Sequence, residues 1–263
     1  MYPTRCPLCS SEITDAFPLG LCGSCRQELV PWDGPVCSQC GLPFASAATL
    51  DSSETRCGEC RREAYAFDLA RSYGTYTGAL RAAILQVKFN RRERLGRRLG
   101  ELLAAPCLSL EEFGDGPALL LIPVPLHRRR EHERGFNQAD LLAQGLARKL
   151  SEANGGPHPV IETKNLIRTR ATPPQTGLSV SARHENVRGV FEVRFPERVK
   201  GRAVALVDDV MTTGATLSAC AAALKRAGAS TVLAVTLARA TPQVPDIPPR
   251  VSLPVDDAGA SWA

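Results

Sequence analysis

Ala203-Val204-Ala205-Leu206-Val207-Asp208-Asp209-Val210-Met211-Thr212-Thr213-Gly214-Ala215-Thr216 is the stretch on which the reading of the chain turns. Ala203 to Val207 is an apolar run suited to a strand buried on both faces, as parallel strands are. Asp208 and Asp209 end that run, and a turn of small and hydroxyl-bearing residues follows at once. Leu217 to Ala227 is rich in helix formers and stops before Gly228, so a helix starts inside the turn. Strand, loop and helix in this order predict an α/β fold, in which ligands collect outside the carboxyl ends of the strands. The free N–H groups and positive dipole end of a starting helix hold a phosphate. Gly214 and Ala215 leave room for it, and Thr212, Thr213 and Thr216 add hydroxyl donors. Two carboxylates beside an anion cradle fit a ligand carrying a phosphate and neighbouring hydroxyls about one sugar apart. Ribose 5-phosphate has that layout, with the carboxylates accepting from its 2′ and 3′ hydroxyls.

This stretch resembles the 5-phosphoribosyl-1-pyrophosphate (PRPP) motif of type I phosphoribosyltransferases: apolar residues, two acids, then a Thr-Gly-Thr-like turn. The resemblance implies a parallel sheet flanked by helices, with Mg²⁺ on the pyrophosphate of PRPP and a nucleophile displacing that pyrophosphate at the anomeric carbon. A second apolar run, Ala118 to Val124, ends at Pro125-Leu126-His127-Arg128-Arg129-Arg130 and is followed by a helix expected over 137–149. In the family the corresponding loop holds the pyrophosphate, which puts Leu126, His127 and Arg128 there by resemblance. His127 and His132 beside an arginine run read as polar loop residues rather than acid/base groups. Val160-Ile161 and Leu166-Ile167 flank an expected strand, and Ser230 to Ala238 reads as the last one.

Composition admits this architecture with a small appended module. The chain has 263 residues, 44% hydrophobic, enough for one α/β core. No apolar run approaches a membrane span, and Met1-Tyr2-Pro3-Thr4-Arg5-Cys6 does not begin like a signal peptide, so a cytoplasmic protein is expected. The net charge of +5 is modest, but its distribution is not. Arg81, Lys88, Arg91, Arg92, Arg94, Arg97 and Arg98 crowd one segment, and Arg128, Arg129, Arg130 and Arg134 another. In the first, Leu80, Ile84 and Val87 and then Leu95, Leu99, Leu102 and Leu103 recur at helical spacing, predicting two helices with basic outer faces. Such faces are ordinarily solvated, and the sharper alternative is a surface that tracks nucleic-acid phosphates.

Eight of the ten cysteines fall into Cys-x-x-Cys pairs: Cys6/Cys9, Cys22/Cys25, Cys37/Cys40 and Cys57/Cys60. A two-residue gap aims both thiolates at one ion, so four pairs predict two zinc ions in closed, structural, four-sulfur shells. Sequential pairing joins Cys6, Cys9, Cys22 and Cys25 in one site and Cys37, Cys40, Cys57 and Cys60 in the other. Interleaved pairing exchanges the second and third pairs, and spacing leaves both open. Cys107 and Cys220 lack sequence partners and are expected in the core. The domains expected are a zinc-binding module over 1–64, a phosphoribosyltransferase-like domain over 65–240 with a basic helical segment at 65–105, and a proline-rich disordered tail over 241–263. The stretch Ala45 to Thr55 reads as a flexible loop.

Arg134-Gly135-Phe136-Asn137-Gln138, with Ile122-Pro123-Val124-Pro125 and the cysteine pairs, is similar to the ComF group of competence-related proteins over roughly residues 5 to 239. That resemblance adds Arg134, Asn137 and Gln138 to the expected ligand site. It also implies handling of incoming single-stranded DNA beside the uptake helicase. Arg168, Arg170, Gln175 and Arg183 resemble the polar members of the loop that closes over the reacting centre in phosphoribosyltransferases and excludes water. Arg183 and Arg188 have Glu185 and Glu192 nearby as alternative partners. The same pattern occurs in glutamine amidophosphoribosyltransferases, but no Cys nucleophile follows Met1. Three functions follow. One is a transferase in which Asp208 and Asp209 steady the ribose while Arg128, Arg168 and Arg170 take up the leaving group's charge. The others are a non-catalytic single-stranded DNA handler, for which 5% aromatics make a thin stacking platform, and a PRPP-sensing module.

Overall fold

The computed structural model describes residues 5–13, 20–44, 55–62, 64–108, 119–154, 158–171, 186–187 and 189–241. Most of the loop at 45–55, the segment with Gln175, Arg183 and Arg188, and all but the first residue of the tail lie outside them.

Five parallel strands form the main sheet in the order β1-β7-β6-β2-β3. They are β1 (Leu69–Thr75), β2 (Leu120–Pro123), β3 (Val160–Ile161), β6 (Ala203–Met211) and β7 (Thr231–Arg239). A separate antiparallel pair joins β4 (Leu166–Arg168) to β5 (Phe191–Val193). The apolar pieces at 160–161 and 166–167 therefore belong to two sheets, where the sequence suggested one strand. Asn165 is the reason the chain parts there: fully buried, it bonds both Phe195 N–H and Phe195 carbonyl and turns the second piece toward β5.

Alternation along β6 and β7 sorts the core into two layers. Ala205, Val207, Val235 and Leu237 pack against α3 (Gly78–Asn90), α4 (Glu93–Leu102), α5 (Ala104–Leu108) and α7 (Gln138–Asn154). Val204, Leu206, Val232 and Ala234 face the other way, toward α8 (Ala215–Arg226) and β5. Cys107 and Cys220 are fully buried, one in each layer. The two basic amphipathic helices are α3 and α4, and part of their charge is consumed locally: Arg97 pairs with Glu93 and Arg98 with Glu101. The arginines after β2, expected as loop, form the short helix α6 (Arg128–Arg134), which the His127 side chain caps by accepting from Arg129 N–H.

Leu69 to Thr75 gave no strand signal, because an edge strand with Arg71 and Ser72 lacks a continuous apolar run. Its outer side is nevertheless not open to water. Ala70 N–H donates to Gln39 carbonyl at 2.7 Å and Trp32 N–H to Tyr73 carbonyl at 2.7 Å, so the cysteine module covers the sheet edge, which would otherwise invite other chains to pair. Gly41 passes so close that a Cβ would sit 2.7 Å from Ala70 carbonyl oxygen, and its φ of +64° suits glycine.

Candidate functional site

Each half of the cysteine module repeats one design. Cys6 N–H donates to Ser11 carbonyl and Cys37 N–H to Leu42 carbonyl, curling Cys6–Cys9 and Cys37–Cys40 into knuckles followed by left-handed residues, Ser10 and Gly41. The second pair of each half lies at a short helix, Cys22/Cys25 at α1 (Gly23–Gln27) and Cys57/Cys60 at α2 (Gly58–Arg62). Cys6, Cys9, Cys22 and Cys25 bring their sulfurs within 4.8 Å of one another, and so do Cys37, Cys40, Cys57 and Cys60. The pairing is sequential. Four thiolates converging on one point fit a closed tetrahedral zinc site with no position left for water, so both are structural zinc sites.

At the carboxyl ends of the strands, β2 leads outward to β3 and β6 leads the opposite way to β7, which makes the gap between β2 and β6 the switch point of the sheet. Pairing of β2 with β6 stops at Pro123–Val207, with Val124 N–H donating to Val207 carbonyl at 2.9 Å. On its other side β6 continues through Asp208, Asp209 and Val210 to Met211, paired with β7 as far as Arg239. The carboxylates thus lie inside the strand rather than past its end. They extend beyond β2 only, so the crevice opens on that side.

Asp209 is 7% exposed and compensated: Gln138 Nε2 donates to its Oδ2 at 3.2 Å, and Lys88 Nζ lies 3.5 Å from the same oxygen. Arg134 Nη1 in turn bonds Gln138 Oε1. Asp208 is half-buried, and its Oδ1 accepts from Asp209 N–H at 2.8 Å. Burial first, and the neighbouring Asp209 charge second, push the Asp208 carboxyl up to about 7, against the pull of that N–H, Lys88 and Arg168. Arg168, at the end of β4, stacks over Phe191 at 5.6 Å and is close enough to act on Asp208, while Arg170 is exposed two residues on. Asn137 works as a brace: its Oδ1 caps α7 by accepting from Ala139 N–H, and its Nδ2 donates to Val124 carbonyl at 3.0 Å. Leu126 and His127, which end the loop after β2, are half-buried, and Arg128, the first residue of α6, is exposed.

Thr212 is exposed, Thr213 and Thr216 are half-buried, and Gly214 and Ala215 are buried. Gly214 has φ +78°, the left-handed value that turns β6 into α8 within three residues. Gly214 has no side chain with which to cap this helix start, and Thr213 Oγ1 accepts from Ala215 N–H at 3.4 Å instead, while the positive end of the helix dipole faces the crevice. Sequence reading missed two residues that hold the turn from behind. Tyr65 Oη donates to Thr213 carbonyl at 2.9 Å, and Arg239 Nη1 bonds the carbonyls of Met211, Thr212 and Ala240. Neither carries a local signal, since Tyr65 stands alone before β1 and Arg239 closes an apolar strand. Lys88 was legible only as one of many basic residues.

A double zinc ribbon domain matches residues 1–61 and a phosphoribosyl transferase domain residues 138–255. The DNA utilization protein YhgH of Escherichia coli O157:H7 is 35% identical over 232 residues, 88% of this chain and 94% of that protein. Competence protein F of Haemophilus influenzae is 33% identical over 84% of this chain and 91% of its own length. The chain belongs to the ComF family. Competence protein ComFC of Bacillus subtilis is a more distant member, 28% identical over 83% of this chain and 84% of its own. Two zinc ribbons on a phosphoribosyltransferase fold are thus the architecture of this ComF-family chain. Among the described residues no helix is long and apolar enough to cross a membrane.

Proposed function

We propose that this ComF-family protein binds PRPP, with Mg²⁺ on the pyrophosphate, and transfers the phosphoribosyl group with displacement of pyrophosphate at the anomeric carbon. The reading is carried by one observation: the Asp208–Asp209 pair sits at the switch point of the sheet, on the strand that turns through Gly214 into the start of α8. In it the 5-phosphate takes the N–H groups and hydroxyls of 212–216, and the carboxylates accept from the ribose hydroxyls and steady cationic character at the ring. The loop after β2, with Leu126, His127 and Arg128, faces the pyrophosphate, joined by Arg168 and Arg170 as charge leaves. Lys88, Gln138 and Arg134 hold Asp209 in place. Mg²⁺ would neutralise pyrophosphate charge, with the carboxylate pair as the hard oxygen donors at hand.

A second reading rests on a different feature. Lys88, Phe89, Arg91, Arg130, Glu133 and Arg134 line a cleft of about 340 Å³, and Phe89 is 68% exposed. A basic cleft with an exposed aromatic suits a single-stranded nucleic acid, in keeping with the DNA utilization and competence names of the relatives. The place of action in both readings is the cytoplasm, near the uptake helicase.

Isothermal titration with PRPP and Mg²⁺, on wild type and on Asp208→Asn/Asp209→Asn, separates the two, with single-stranded DNA titrated in parallel. Binding that disappears in the double variant supports the phosphoribose site, and pyrophosphate release with candidate acceptors then tests turnover. No PRPP binding, together with salt-sensitive DNA binding unaffected by the substitutions, would replace the first reading by the second.

A further inference from the structure

The two zinc ribbons are not equivalent in what they touch. Cys6 and Cys25 of the first pack into the layer of α3, α4 and α7. Cys37, Cys40, Cys57 and Cys60 of the second share a cluster with Met211, Ala215 and Leu217, the residues that end β6 and begin α8. Tyr65, five residues past Cys60, packs on that cluster and stacks on Phe67 with ring centroids 4.7 Å apart. Its ring also fills the space in front of Gly214, where a Cβ would come within 2.9 Å of Tyr65 Cε1. Its hydroxyl holds Thr213 carbonyl, and the next residue, Ala66, donates its N–H to Ser218 Oγ in the first turn of α8 at 3.0 Å.

Arg239 completes the connection from the other side. It is 2% exposed, has no carboxylate partner among the described residues, and spends Nη1 on three carbonyls, two of them Met211 and Thr212. Val36, Gly41 and Pro43 of the second ribbon line the same cleft as Arg239, so its guanidinium lies against that ribbon.

We propose that Tyr65 and Arg239 are positioning residues through which the second zinc ribbon holds the 212–216 turn in its anion-binding form, so that an intact Cys37/Cys40/Cys57/Cys60 site is a condition for binding at the switch point. With the carbonyls of Thr212 and Thr213 drawn backward, their oxygens are kept out of the crevice. A slack turn lets those carbonyls rotate toward the anion and repel it. The inference rests on the phosphoribose reading for the identity of the ligand, but not for the rigidity of the turn.

The test uses Tyr65→Phe, which keeps the ring and removes only the hydroxyl, with Arg239→Lys as a second variant that keeps charge and loses the fork. Hydrogen exchange of the 213–216 amides is followed in the ligand-free full chain, zinc content is measured, and PRPP with Mg²⁺ is titrated. Expected are two zinc ions retained, exchange faster at the turn but not in α7, and PRPP affinity about tenfold weaker, the effect of one lost bond to a half-buried carbonyl. Unchanged exchange in Tyr65→Phe overturns the proposal, as does loss of zinc, which would place Tyr65 in the service of the ribbon alone. Faster exchange in a protein whose wild type binds no PRPP supports the positioning role and removes the phosphoribose reading instead.

Discussion

Asp208 concentrates the electrostatics of the site. Its carboxyl is raised from 3.8 to about 7 by burial and by the Asp209 charge, so the folded chain holds this proton more tightly than the unfolded one. The contribution to stability is fully present below about pH 4 and is lost as pH rises through about 7. Ligand binding runs the other way, because ribose hydroxyls need an ionised acceptor. PRPP affinity is expected to rise about tenfold between pH 6 and pH 8, following the ionised fraction of a group titrating near 7. Asp208→Asn should bind weakly and lose that rise, which also separates it from the ionisation of the ligand's own phosphate. Titration calorimetry at several pH values decides; an unchanged pH profile in Asp208→Asn would remove Asp208 as its source.

The helices position the carboxylates through unusually close packing. A Cβ on Gly145 would lie 1.9 Å from Arg97 carbonyl oxygen, and one on Gly100 2.3 Å from Leu142 carbonyl oxygen, so α4 and α7 touch backbone to backbone. Since α7 begins with Gln138, the donor to Asp209, its seat on α4 sets one wall of the crevice. Gly145→Ala must push the helices apart, at a cost of about 1–3 kcal/mol or more. The melting temperature followed by circular dichroism should fall by several degrees, with weaker PRPP binding. An unaltered melt would mean that the crossing relaxes without strain. Leucine periodicity predicted α4, and the strand, loop and helix layout predicted α7, but neither singled out Gly100 or Gly145.

For the molecule as a whole, the ribbons are part of the sheet's architecture rather than an attachment. They satisfy backbone groups on the outer side of β1, through Gln39 and Trp32, and bury residues against both faces of the sheet. Removing zinc should therefore do more than unfold sixty residues' worth of knuckles. Metal analysis is expected to find two zinc ions per chain. A strong chelator should lower the melting temperature by several degrees and, by baring β1, produce association visible by light scattering. A zinc-free chain that stayed monomeric with an unshifted melt would show the ribbons to be dispensable for the fold.

What the sequence determined alone was everything encoded at short range. The strand with its two carboxylates and turn, the four cysteine pairs and the amphipathic α3 and α4 were all legible, because apolar periodicity and fixed ligand spacing are local properties of a chain. The tertiary structure decided what local patterns leave degenerate. It chose sequential over interleaved cysteine pairing, since knuckle and helical pair meet only when each ribbon closes on itself. It carried β6 on to Met211, because β7 supplies partners past Val207 where β2 does not. It also brought Lys88 to Asp209, and Tyr65 to a carbonyl 148 residues away. Contacts of that range follow from where the strands stack and which face each helix covers, and no single stretch of the chain contains them.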